Sequence, residues 1–138
     1  MRIFIDTSAL AKHFFQEEGT EEVQRVFSQA TGVYVSVLSL PETFSTLARK
    51  KREKKITTDQ YFEIKQAIIK DFRDFNICEL SPLIISKTIF LLEKYVIRTL
   101  DAMQVASALE IHPEIFVSSD NRQLKAAQGM NLKILRIV

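Results

Sequence analysis

Strands and helices alternate along this chain, and the alternation predicts an α/β fold, a mostly parallel sheet covered by helices on both faces and joined by right-handed crossovers. Three observations carry that expectation. Short runs such as Ile3-Phe4-Ile5 and Ile115-Phe116-Val117 are β-branched and aromatic, and have the length of buried strands. Between such runs lie segments whose apolar residues recur every three or four positions, the period of a helix packed on one face. Only three Gly and three Pro occur in 138 residues, which leaves no low-complexity linker, so residues 1–138 are expected to form a single domain.

The first strand, Ile3 to Ile5, passes directly into T-S-A-L-A-K-H-F-F-Q, a helix over residues 7–16 that an acidic patch and Gly19 bring to an end. Asp6 stands at the join. It can cap the helix, as Asp often does, or it can be a ligand-facing carboxylate at the carboxyl end of a buried strand. Thr20, Glu21 and Glu22 open a second helix whose Val23, Val26, Phe27 and Ala30 make a core stripe. Gly32 breaks it, Val33 to Val35 form the second strand, and Ser36 can cap a third helix over about 37–54. Pro41 lies early enough in that helix to be tolerated.

Glu42, Thr46 and Arg49 share one polar face of the third helix, so Glu42 repeats the placement of Asp6, a carboxylate in a first helical turn after a strand. The helix runs out through R-K-K-R-E-K-K, residues 49–55, with six cations in seven positions. Such a run suits the negative end of the helix dipole, and it can equally face phosphate, with Arg49 the candidate nucleic-acid contact. A fourth helix over about 58–74 carries Tyr61, Ile64, Ile68 and Phe72. Asn76 to Leu80 reads as a strand, and Ser81-Pro82 as the start of a fifth helix reaching Val96. That helix is apolar over more than half its circumference, which suggests a further contact such as a dimer.

Thr99 can cap a sixth helix with Asp101 in its first turn, and Ala102, Ala106 and Ala108 allow close packing. His112-Pro113 ends it. The strand Ile115 to Val117 is followed by Ser118-Ser119-Asp120, which opens a seventh helix that Gly129 stops before a last strand at Lys133 to Val138.

The other bounds are broad. With 19 Lys and Arg against 17 Asp and Glu, net charge makes no case for nucleic acid. Cys78 is alone and can form neither an internal disulfide nor a thiolate zinc site. His13 and His112 lack ligand-spaced partners and read as structural. No apolar run approaches the roughly 20 residues of a membrane span, and no signal peptide precedes the first strand, so the expected location is the cytoplasm.

Asp6, Glu42, Asp101 and Asp120 each fall at a strand end or a helix start, where a parallel sheet can bring them to one crevice. Carboxylates so gathered repel one another unless a cation joins them, and all-oxygen ligation suits Mg2+ or Mn2+. The chemistry implied is metal-assisted hydrolysis of a phosphodiester. No Walker, dinucleotide-binding, G-x-S-x-G or H-E-x-x-H pattern competes.

The four segments I-D-T-S-A-L, S-L-P-E-T-F-S-T-L-A-R, R-T-L-D-A-M-Q-V-A-S-A-L and F-V-S-S-D-N-R-Q-L, in this order and spacing, resemble the PIN-domain ribonucleases and in particular the VapC-type toxins of toxin–antitoxin pairs. The resemblance covers essentially the whole chain. It implies a three-layer α/β/α sandwich around a five-stranded parallel sheet, with Asp6, Glu42, Asp101 and Asp120 in the family's acidic roles. Ser8 and Ser118 match small polar residues that orient carboxylates or waters. The implied activity is Mg2+- or Mn2+-dependent endonucleolytic cleavage of RNA, with a cognate antitoxin and a homodimer as partners. A catalytically silent PIN fold that binds RNA or protein is the alternative. Met103-Gln104 departs from the Leu-His that such toxins often carry, with no expected loss of metal binding.

Overall fold

A computed structural model describes all 138 residues. Five parallel strands form one sheet in the order β3-β2-β1-β4-β5, where β1 is Arg2–Ile5, β2 Gly32–Ser36, β3 Asn76–Cys78, β4 Ile115–Ser118 and β5 Ile134–Arg136. Seven helices fill the crossovers: α1 Thr7–Phe14, α2 Thr20–Gln29, α3 Ser39–Arg52, α4 Thr58–Asp74, α5 Pro82–Lys94, α6 Thr99–Ile111 and α7 Asn121–Gly129.

Strand β1 is the axis of the sheet, with Ile3 beside Val33 on one flank and Ile115 on the other. Its alternating side chains build two cores. Ile3 and Ile5 face a layer made by α1 to α4, where they meet Leu10, Val23, Leu47 and Ile68. Phe4 faces the opposite layer of α5, α6 and α7, stacked on Phe116 at 5.9 Å and packed with Ile84, Leu91, Val105 and Leu124. Because both faces are covered, Ile3, Phe4 and Ile5 are wholly inaccessible, which is why this strand reads as continuously apolar. The fold is the three-layer α/β sandwich expected.

Several element ends differ from their sequence reading. The third helix begins at Ser39, because the Ser36 hydroxyl accepts from the Leu38 amide and caps a turn ahead of the helix. Gly19 does not close α1, which ends at Phe14 with Phe15 as its cap; it is the residue from which α2 starts, at φ 95°. A β-carbon there would meet the Val138 carbonyl at 2.7 Å, so glycine is required for space as well as for backbone angle. Arg98, whose side chain caps none of the first helical amides, precedes α6, and Thr99 is already helical. His112 ends α6 in the left-handed region, and the Arg2 guanidinium donates to its carbonyl. His13 bridges Gln24 and Asp71 and ties α1 to α2 and α4, a structural role. No helix is long and apolar enough to cross a membrane.

Candidate active site

In the strand order, β1 sends the chain to β2 and β3 on one side, while β4 and β5 lie on the other. The carboxyl ends of β1 and β4 therefore flank the point where an open parallel sheet leaves a crevice. Both strands run into helices there, and the two turns are stitched together. Asp6, fully buried, caps α1 by accepting from the Ala9 amide at 3.1 Å. The Ser8 hydroxyl lies 2.8 Å from both Asp6 oxygens and accepts from the Ser119 amide at 3.0 Å. The Ser118 hydroxyl accepts from the Asp120 amide at 2.9 Å and lies 3.4 Å from that of Ser8. Asp120 in turn caps α7 through the Arg122 and Gln123 amides. Both acids are helix caps, as the simpler reading of each has it, and the lacing of their turns also makes them neighbours.

The electrostatics follow from that burial. Desolvation is the largest influence on Asp6 and lifts its pKa from 3.8 to about 6. The Ala9 amide and the Ser8 and Ser118 hydroxyls pull the other way, and the negative charge of Asp120 adds to the rise.

Glu42 enters from α3. Its Oε1 accepts from Thr7 Oγ1 at 2.8 Å and from Gln104 Nε2 at 3.0 Å, so the residue after Asp6 links β1 to this acid. Gln104 Nε2 also lies 3.0 Å from Thr7 Oγ1 and 3.2 Å from Ser39 Oγ. A carboxylate only accepts, so the amide nitrogen must be the end that faces Glu42. Asp101, one turn before Gln104 on α6, accepts from Gln123 Nε2 at 3.0 Å and from the exposed Arg98 at 3.4 Å. Gln123 thus holds Asp101 with its side chain and Asp120 with its backbone amide. Glu42 and Asp101 share a cleft of about 350 Å³ with Arg98, Thr99 and Leu100. Arg49 is exposed two turns beyond Glu42 on α3.

The four acids thus occupy one hydrogen-bonded neighbourhood, joined through Ser8, Ser118, Thr7 and Gln123. They are not drawn to one point: no three acidic, His or Cys side chains are close enough together to hold a metal ion as they stand. The donor set is nonetheless chemically suited to a hard divalent cation. It is all oxygen, with no thiolate or imidazole among it, and one buried carboxylate lies beside a second negative charge. Buried polar atoms without partners also gather here. Of the four buried side-chain atoms in the chain that lack a hydrogen bond, Gln104 Oε1, Gln123 Oε1 and Ser119 Oγ belong to this neighbourhood.

Neither glutamine is among the candidate site residues read from the sequence: Gln104 enters there only as a departure from the resembled pattern, with no expected effect on metal binding, and Gln123 is given no role. A signal for each was present. Gln104 is the one amide in the run A-M-Q-V-A-S-A-L, which is otherwise small or apolar, and Gln123 follows Asp120 at the spacing of a capping box.

A family model described as PIN domain matches residues 3–129. No curated protein matches the chain in sequence. Among solved structures, VapC20 of Mycobacterium tuberculosis, described as a sarcin–ricin-loop-cleaving toxin, is similar at TM-score 0.68 and 17% identity, over 90% of this chain and 94% of that one. A toxin–antitoxin complex from Klebsiella pneumoniae is similar at TM-score 0.68 and 17% identity, over 96% and 95%. PAE2754 from Pyrobaculum aerophilum is similar at TM-score 0.73 and 16% identity, over 97% and 83%.

Proposed function

The chain belongs to the PIN domain family, and on that premise we propose that residues 1–138 act as a single nuclease domain, a Mg2+- or Mn2+-dependent endoribonuclease that serves as the toxin of a toxin–antitoxin pair. The observation that carries the reading is the stitching of the β1 and β4 turns, which sets buried Asp6 beside Asp120 with all-oxygen surroundings. Asp6, Asp101 and Asp120 would hold the cation directly or through water. When bound, it would orient and acidify a water and offset charge on the attacked phosphate and the leaving oxygen.

The protein's own groups do the rest. Ser8 holds both oxygens of Asp6 and, with Ser118, ties it to the turn that carries Asp120. Thr7 and Gln104 both engage Glu42 through Oε1, so Oε2 makes no protein hydrogen bond and is available to accept a proton from the attacking water or to bind the cation. Arg98, mostly exposed beside Asp101, would meet the RNA backbone, and Arg49 would meet it further along α3.

A short antitoxin and a second copy of this chain are the proposed partners. The toxin–antitoxin assemblies among similar structures support the first. The exposed apolar face of α5, with Leu83, Ile85, Ile89 and Phe90, supports the second. The absence of a closed three-acid group favours one rival, a PIN fold that binds RNA or protein without cutting it. Purified protein incubated with single-stranded RNA and DNA, in Mn2+ or in chelator, tests the proposal. Metal-dependent RNA cleavage by the wild type and none by Asp6→Asn is expected; equal cleavage by both would sink the metal site.

A further inference from the structure

A second cavity, of about 420 Å³, opens beside the acid cluster where the end of α5 meets α7. Lys94, Tyr95, Val96, Arg122 and Lys125 line it. No carboxylate contributes to the lining, and none of the three cations takes part in an ion pair of the fold. Lys94 Nζ rests 5.6 Å from the ring centroids of both Phe90 and Tyr95, which carry its charge on their faces. Tyr95 itself is held against Gly129 at the end of α7, where any β-carbon would collide with the phenol. The pocket is therefore a positively charged concavity with a fixed aromatic wall.

Its place relative to the acids gives it meaning. Arg122 follows Asp120 by two residues, and Lys125 lies one turn further along the same face, about 7 Å along the axis from Asp120. On the other wall, Val96 lines this cavity and Arg98 lines the cleft of Glu42 and Asp101, so only Ile97 separates the two along the chain. A site of four acids repels the phosphates of a polynucleotide, and cations flanking it are what a strand laid across it requires. The basic 49–55 segment is less well placed. Lys50 lies over Phe15, just past the end of α1, while Asp6 caps the start of that eight-residue helix, about 12 Å away along its axis.

We propose that the cavity of Lys94, Arg122 and Lys125 is a backbone-binding subsite that takes phosphates of single-stranded RNA to one side of the bond cut at the acid cluster. The subsite rests on the ribonuclease reading given above. Its test is binding of a fluorescent single-stranded RNA to the intact protein in chelator, across a range of salt, for three proteins. These are the wild type, Lys94→Gln/Arg122→Gln/Lys125→Gln, and the control Lys51→Gln/Lys54→Gln/Lys55→Gln. All six side chains are exposed, and circular dichroism checks that each variant is folded. Each lost phosphate contact lowers the salt slope by about 0.7, so the pocket variant is expected to show a slope shallower by about 2 and, at 0.1 M salt, affinity lower by about 10–100-fold. The control should keep most of its slope. If the wild type binds and cleaves RNA but the pocket variant keeps the wild-type slope, the subsite is overturned while the ribonuclease reading stands. The same holds if those substitutions weaken only an acidic protein partner. A wild type that neither binds nor cleaves RNA overturns both.

Discussion

Replacing Asp6 by Asn should abolish metal-dependent cleavage and, in the same protein stripped of metal, make the fold more stable. The second effect follows from burial. Asp6 holds its proton to about pH 6 in the folded chain against 3.8 as its ordinary value. Between about pH 4 and pH 6 the folded state then binds more protons than the unfolded one, so this residue's contribution to stability declines as pH rises through that window, and the full penalty is present above it. A little over two pH units at about 1.36 kcal/mol each gives about 3 kcal/mol. Asn keeps an acceptor for the Ala9 amide and the Ser8 hydroxyl but gives up the second oxygen, a loss of about 1 kcal/mol. Urea titrations in chelator should therefore show Asp6→Asn no more stable than wild type near pH 4 and about 2 kcal/mol more stable near pH 8. Addition of Mn2+ should stabilise the wild type and leave the variant nearly unchanged, since a ligand bound only to the folded state raises its stability. A difference between the two proteins that does not grow with pH would refute the desolvation argument. A wild type that Mn2+ fails to stabilise would refute the cation.

The other predictions concern residues that hold the acids and the surface of α5. Ser8→Ala removes a hydrogen bond that favours ionised Asp6, so the same pH-dependent decline in metal-free stability should move to higher pH, read by the midpoint in urea against pH. Gln123→Ala frees Asp101 from its amide partner and should weaken Mn2+ binding about 10–100-fold by calorimetry, the scale found for partners that orient metal ligands. Gln104→Leu keeps the volume, removes a buried orphan oxygen, and releases Glu42. The turnover number should fall with little change in KM, and stability should shift by about 1 kcal/mol or less. Ile89→Lys, at a side chain more than half exposed on α5, should turn a dimer into a monomer in sedimentation without lowering the melting temperature.

Much of this molecule is legible in the amino-acid sequence because its signals are local. Continuous apolar runs at 3–5 and 115–117 announce strands covered on both faces, and the positions of Asp6 and Asp120 just past them announce carboxylates at helix starts. Both serve as N-caps, since the same side-chain oxygen can accept a backbone amide and still belong to a site. Element ends were harder to read. Ser36 has the chemistry of a cap, and whether it caps a helix or the turn before one depends on the backbone after it, which a residue's identity does not specify.

The sequence by itself determined the α/β class, the five strands, and four acids at strand ends or helix starts, because burial periodicity and capping chemistry act over a few residues. Only the tertiary structure decided which acid meets which and through what. Gln104 reaches Thr7 across 97 residues and Glu42 across 62, and Gln123 reaches Asp101 across 22. Whether a buried amide has a carboxylate to face depends on how helices from different crossovers pack, and no spacing along the chain encodes that. The lifted pKa of Asp6 is of the same kind, since its complete burial in the folded chain, with Ser118 and Asp120 of the β4 turn beside it, removes the water that would otherwise keep it ionised.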